Sequence, residues 1–198
     1  MDVAVIKYNA GNVYSVLNAL SRLGVNATLT DDADVIRRAS HVIFPGQGEA
    51  AGAMECLRRT GLDKVITSLR QPVLGICIGQ QLMCRHSEEG DVDCLGIFDA
   101  EVRRFVAQPG DNVWKIPHMG WNTVTDLHGF MDSGLREEWM YFIHSYYVPV
   151  SEWTVGTTSY CGIDFSAAMQ KDNFMAAQFH PEKSGDAGFR LLQRFLAL

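Results

Sequence analysis

The stretch whose reading decides the fold is Val73–Gln81, VLGICIGQQ. Apolar residues suited to a strand run into a lone thiol, Cys77, which has Gly75 and Gly79 two residues to either side. The form G-x-C-x-G is the thiol version of the G-x-S-x-G nucleophile elbow. A sharp strand-to-helix turn holds the middle residue in a strained backbone conformation, with its side chain exposed at the strand's end. The flanking glycines give the room such a turn needs. A helix that starts just after Cys77 brings its positive end near the sulfur and favours thiolate, the reactive form. The N–H of Ile78 is then aimed to stabilise an oxyanion. The pentapeptide alone fits a buried structural cysteine about as well, because free cysteine is among the most buried residue types. The strand pattern before it and the helical pattern after it favour the nucleophile.

The first 85 or so residues around this elbow alternate between the two periods. Val3–Tyr8, Val25–Thr30, His41–Phe44 and Val73–Ile76 read as strands. Val13–Leu23, Asp31–Ala39, Ala50–Arg59 and Leu62–Leu69 read as helices. Such alternation implies parallel strands joined by crossover helices. After Gly90 the pattern changes to strands with few helices between them: Ile97–Val106, Trp121–Thr125, Met140–Val148, Val155–Tyr160, Phe165–Gln170 and Met175–Phe179. Phe189–Leu198 reads as a closing amphipathic helix. The expected fold is therefore α/β: one domain over residues 1–198, with a mixed, mostly parallel central sheet flanked by helices and an added antiparallel portion in the second half.

The bulk composition fits that reading. A chain of 198 residues with 47% hydrophobic and 20% charged residues can bury a sizeable core. The net charge of −6, with both signs scattered, argues against a nucleic-acid binder. No apolar run has membrane-spanning length. The opening MDVAVIKYNAGN reads as a first strand rather than a signal peptide. Five cysteines (Cys56, Cys77, Cys84, Cys94 and Cys161) form no C-x-x-C pair, and reduced thiols in the cytoplasm are the simplest account. No ligand spacing suggests a metal, and no cofactor is expected.

A thiol nucleophile needs a base, and the base needs an orienting group. His180 follows an apolar strand in AAQFHPEKS, and Glu182 comes two residues later. A His-x-Glu pair on a strand-end loop can set a carboxylate beside the imidazole and fix its tautomer, and Pro181 stiffens the link. By itself His180 would read as a loop histidine; with a cysteine elbow upstream it is the better candidate. His144, in FIHSYY, competes with it from within a strand. His86 with Cys84 reads as packing and surface, while His41, His118 and His128 have no partner that spacing identifies. FPGQGEA, ahead of the elbow, places Gln47 between two glycines in a loop that opens a helix. Such a loop can turn a backbone N–H toward developing negative charge.

Taken together, GICIGQQ, PGQG and HPEKS resemble the class I, triad-type glutamine amidotransferases. Within that family YNAGN, SEEG, PHMGWN and FIHSYY look like the glutaminase subunits of imidazole glycerol phosphate synthases, and the resemblance covers the whole chain in order. It implies a triad of Cys77, His180 and Glu182, with backbone oxyanion donors at Gln47 and Ile78. It implies that Gln81, Glu89, Ser145 and Tyr146 hold the amino-acid end of glutamine. It further implies a heterodimer with a (β/α)8-barrel cyclase subunit that receives ammonia for histidine biosynthesis, with Asn12, Met119, Trp121 and Asn122 facing or responding to that partner. The chain departs from the family's usual residues at Gln47 (often Val), Gln80 (often Met) and Asn9 (often Gly), none of which is a catalytic group. Two other readings stay open: a glutaminase serving another synthase, such as the pyridoxal-phosphate-forming one, and a non-catalytic glutamine-binding regulator.

Overall fold

Residues 1–8, 13–46, 48–106 and 115–198 are described by the structure, a computed structural model. The first half runs β1 (Val3–Ile6), α1 (Tyr14–Arg22), β2 (Ala27–Thr30), α2 (Ala33–Arg38), β3 (His41–Phe44), α3 (Ala50–Thr60), α4 (Leu62–Thr67), β4 (Val73–Ile76) and α5 (Ile78–Met83). The second half runs β5 (His86–Ser87), β6 (Val92–Asp93), β7 (Glu101–Arg104), β8 (His118–Thr125), β9 (Glu137–His144), β10 (Tyr146–Tyr147), β11 (Thr154–Tyr160), β12 (Ile163–Lys171), β13 (Phe174–Ala177) and α6 (Gly185–Leu196).

One sheet of nine strands carries the fold, in the order β2-β1-β3-β4-β13-β12-β11-β8-β9. Neighbours from β2 through β13 are parallel. From β13 to β9 every pair is antiparallel, as the change of texture after Gly90 implied. A second sheet, β10-β7-β5-β6, is small.

Strand alternation sorts the core onto two faces. Val3 and Val5 of β1 pack on one side with Leu20, Leu192 and Phe195. Ala4 and Ile6 pack on the other with Ile36, Met54, Leu57 and Ile66. Strands covered on both faces need continuous apolar sequence, which is why HVIF in β3 is wholly buried. Helix starts follow local chemistry. The Asp32 side chain accepts from the N–H groups of Asp34 and Val35 at the head of α2. The Glu49 carboxylate does the same for Ala51 and Gly52 at the head of α3.

Three expectations shift. Ile97–Val106 is not one strand: Ile97 and Phe98 are buried in a loop, and only Glu101–Arg104 pairs. Met140–Val148 is two strands, because the chain leaves the large sheet at Ser145 and Tyr146–Tyr147 pairs with β7 instead. The closing helix starts earlier than Phe189, at Gly185.

Candidate active site

Cys77 stands between β4 and α5 with φ 54° and ψ −108°, the strained elbow conformation. The glycines beside it serve close approach rather than positive φ. A Cβ on Gly79 would overlap the carbonyl oxygen of Phe44, and one on Gly75 would lie 2.9 Å from the Gly79 carbonyl carbon. The bare backbone at Gly79 is what lets α5 start directly against the end of β3.

Parallel register brings the other groups to the sulfur. Ile76 of β4 lies opposite Ala177 of β13, and the Cys77 N–H donates to the Ala177 carbonyl at 2.7 Å. Gln178 and His180, two residues apart beyond β13, both reach the end of β4, at the carboxyl edge where open α/β sheets place ligands. The His180 N–H is fixed to the Tyr141 carbonyl at 2.9 Å. A single 3-10 turn, Pro181–Lys183, then folds Glu182 back under the imidazole. The ring Nδ1–H donates to Glu182 Oε1 at 2.8 Å, and both side chains are almost wholly buried.

Burial opposes charge on His180, yet the Cys77 sulfur and the Glu182 carboxylate outweigh it and push the ring up to about 10. Its Nε2 makes no aligned hydrogen bond, although the sulfur is near enough to act on the ring. Catalytic hydrogen bonds commonly tighten only when substrate is in place.

These groups open into a cleft of about 430 Å³. Gly48, Cys77, Ile78, Gln81, Glu89, Pro117, Ile143, His144, Ser145, Tyr146 and His180 line it. Of the expected ligand-holding residues, Gln81, Glu89, Ser145 and Tyr146 all reach this one space. The Gln81 amide nitrogen donates to the Tyr146 carbonyl and to Gln178 Oε1, both at 3.0 Å, so only its oxygen is left to face a ligand. Glu89 Oε2 accepts from the Ala50 N–H at 2.9 Å. Burial nonetheless raises the Glu89 carboxyl above its usual range, against that bond. Ile78 opens α5, where a helix start leaves N–H groups without an intrahelical acceptor. Gln47 and Asn12 lie outside the described residues, as does the departure at Asn9.

His144 lines the cleft with both ring nitrogens engaged by protein partners. Its Nδ1–H donates to the Tyr146 carbonyl at 2.7 Å, and burial pushes the ring down to about 3. His118, for which spacing gave no partner, meets it at 2.9 Å and is itself held down to about 4 by burial. In an unfolded chain both rings take up a proton near pH 6.5, whereas the fold keeps them neutral well below that. The unfolded state therefore binds more protons in this window, and stability falls as pH drops below 6.5. The raised His180 has the opposite sign: its stabilisation is complete below 6.5 and is lost as pH rises toward 10. Urea unfolding at about pH 7 and about pH 4.5 is expected to differ by about 2–3 kcal/mol more in the wild type than in His144→Gln, the share owed to that ring. An equal difference in the two proteins would contradict the buried neutral pair.

Strand alternation also divides the residues expected at the partner face. Met119 and Trp121 stand out from β8, at 59% and 52% exposed. Asn122 falls on the opposite face, where its amide nitrogen donates to the Ser159 carbonyl and to His118 Nε2. Sequence reasoning missed Trp139, which is exposed on β9 across from Thr123 and extends the Met119–Trp121 face. It also missed Gln178, which contacts the Cys77 sulfur at 3.7 Å. The signal for Gln178 was its even spacing from His180 past a strand. Among the described residues no cluster of three or more His, Cys, Asp or Glu could hold a metal ion. No described helix is long and apolar enough to cross a membrane.

Comparison with known proteins agrees with this geometry. The chain is 59% identical over 199 aligned residues to the "Imidazole glycerol phosphate synthase subunit HisH" of Bacteroides fragilis strain YCH46, covering 100% of both chains. It is 44% identical to the protein of the same name from Idiomarina loihiensis, covering 100% of this chain and 98% of that one. Among solved structures, one titled "Crystal structure of glutamine amidotransferase" matches with a TM-score of 0.72 at 18% identity, over 98% of each chain. "Structure of PurLQS from Thermotoga maritima" matches with a TM-score of 0.70 at 14% identity, over 99% of this chain and 97% of that one. Structures this distant speak only to the fold. The family profile described as "Glutamine amidotransferase class-I" matches residues 4–197, nearly the whole length. The chain belongs to the class-I glutamine amidotransferase family.

Proposed function

We infer that this chain is the glutaminase subunit of an imidazole glycerol phosphate synthase, one that hydrolyses L-glutamine to glutamate and ammonia in histidine biosynthesis. The observation that carries the reading is a strained-elbow cysteine sharing one cleft with a buried His180–Glu182 pair. The full-length identity to relatives bearing that name supports the choice of synthase.

The chemistry follows from the atoms present. Cys77 Sγ attacks the side-chain carbonyl carbon of glutamine, and the Ile78 N–H steadies the resulting oxyanion, with the Gln47 N–H assigned the second donor role. His180 Nε2–H gives its proton to the departing nitrogen. Ammonia leaves, and a γ-glutamyl thioester remains on Cys77. His180 then takes a proton from water, which attacks the thioester; glutamate and the free thiolate result. Glu182 holds Nδ1–H, so the ring presents Nε2 throughout. At the other end of the cleft the Glu89 carboxylate and the Gln81 oxygen suit an ammonium group, and Ser145 and Tyr146 border the space for the substrate carboxylate.

Ammonia in neutral water is mostly protonated and then is no nucleophile, so the product must travel shielded from solvent. That requirement supports a partner, a (β/α)8-barrel cyclase subunit in a heterodimer. The exposed apolar face of Met119, Trp121 and Trp139 lies on the strands that end at the cleft and suits a protein contact. Free cysteines suit the cytoplasm as the compartment. Glutamine turnover is expected to be weak for the chain alone and to rise at least tenfold when the cyclase and its nucleotide ligand are added. Equal turnover with and without them would contradict the coupling.

A further inference from the structure

Gln178 is wholly buried, is used by none of the steps above, and points its side chain at the reacting sulfur. The direction in which it points is determined by a carbonyl that can only accept. Tyr146 O lies 3.0 Å from one terminal atom of the Gln81 side chain, so that atom must be the amide nitrogen. The same nitrogen lies 3.0 Å from a terminal atom of Gln178 and has a second hydrogen to give, so the Gln178 atom must be its oxygen. The remaining end of Gln178 is then the NH2, 3.7 Å from Cys77 Sγ.

The anchoring carbonyl is held from its other side as well. His144 Nδ1–H donates to Tyr146 O at 2.7 Å, which leaves His144 Nε2 as an acceptor. His118 Nδ1–H fills that site at 2.9 Å, and His118 Nε2 in turn accepts from the Asn122 amide at 3.3 Å. Every bond in the two branches has one permitted direction. A flip of either glutamine would set two oxygens, or two NH2 groups, face to face in a buried space, where an unmet polar group is expensive.

We propose that Gln178 is a further catalytic residue, an N–H donor to the Cys77 thiolate whose orientation is set by the Gln81–Tyr146 carbonyl contact. The thiol and thiolate states use different neighbours. The S–H can donate to the Ile143 carbonyl, 3.7 Å away. Once the proton is gone, that carbonyl no longer helps, and the Gln178 N–H is the donor that stabilises the anion. Among the described residues, the charged and titratable groups around the sulfur are His180 with Glu182, Tyr8, and, along the cleft, His144, Tyr146 and Glu89. The proposal rests on the glutaminase reading for its consequence in turnover, but not for its effect on sulfur reactivity.

The test compares wild type, Gln178→Met and Gln178→Glu in the complex with the cyclase. Methionine keeps the length and volume and removes the donor; glutamate keeps the shape and puts an acceptor against the sulfur. Two quantities are read: glutamine kcat and KM, and the rate of Cys77 alkylation by iodoacetamide at neutral pH, with thermal melting as the check on folding. Gln178→Met is expected to lower kcat and the alkylation rate together by about tenfold, with KM changed less than about twofold. Gln178→Glu is expected to lower both further. Alkylation within about twofold of wild type in both variants would overturn the proposal, as would a fall in kcat matched by an equal rise in KM. If wild type alkylates Cys77 but turns over no glutamine, the glutaminase reading fails while the alkylation comparison still decides the role of Gln178.

Discussion

Cys77→Ala is expected to abolish glutamine hydrolysis, with kcat falling about 10⁴-fold or more, while synthesis driven by added ammonia persists in the complex. The reason is covalent. Among the described residues lining the cleft no other side chain offers a nucleophile on a strained elbow, and His144, the competing imidazole there, is held neutral with its Nδ1 occupied. Alanine fills the same backbone position and loses one small buried group, so melting should shift by only a few degrees. The paired assay separates loss of the nucleophile from loss of the complex. An alanine variant that still hydrolyses glutamine would assign the chemistry to another residue.

Gly79→Ala is expected to damage both stability and turnover through a single methyl group. Its Cβ would overlap the backbone carbonyl of Phe44 at the end of β3, an atom held in the sheet that cannot turn aside. The first turn of α5 would have to move off β3 by about an ångström, at a cost of about 1–3 kcal/mol for overpacking. That turn carries both Cys77 and the Ile78 N–H, so the oxyanion donor moves with the nucleophile. A misplacement of about 1 Å costs roughly 10²-fold in rate. The variant should therefore melt lower and lose at least that much kcat, measured by calorimetry and by glutamate release. Wild-type turnover in Gly79→Ala would mean the close approach of α5 to β3 does not position the site.

The elbow was legible because its requirements are local. A buried strand, a thiol between two glycines and the following helix fall within nine residues, and β3, β4 and the crossover helices obeyed their periods. The His180–Glu182 pair was legible for a similar reason, since one tight turn spans it. What sequence could not display was pairing across the fold. Ser145 and Tyr146 reach the cleft because the chain changes sheets there, and the Ser145 carbonyl accepts from the Phe105 N–H. Apolar periodicity alone runs through that break as one strand. His118 and His144 are neighbours only through the antiparallel register of β8 with β9, 26 residues apart in the chain. That register also turns Asn122 inward while Met119 and Trp121 face out. Trp121 could have been core or anchor by composition; at 52% exposed it is not core. Gln178 stayed hidden because its contact with the sulfur comes from the pairing of β13 with β4, and sequence carried only its even spacing from His180.

The most direct measurement of the central claim is the mass of the protein quenched in acid during glutamine turnover, followed by digestion. The account predicts a γ-glutamyl group on the peptide carrying Cys77, lost in Cys77→Ala and accumulating when the His180–Glu182 pair is disrupted by Glu182→Ala. A glutamyl group on Cys56, Cys84, Cys94 or Cys161 instead, or hydrolysis with no covalent species on any cysteine, would contradict it.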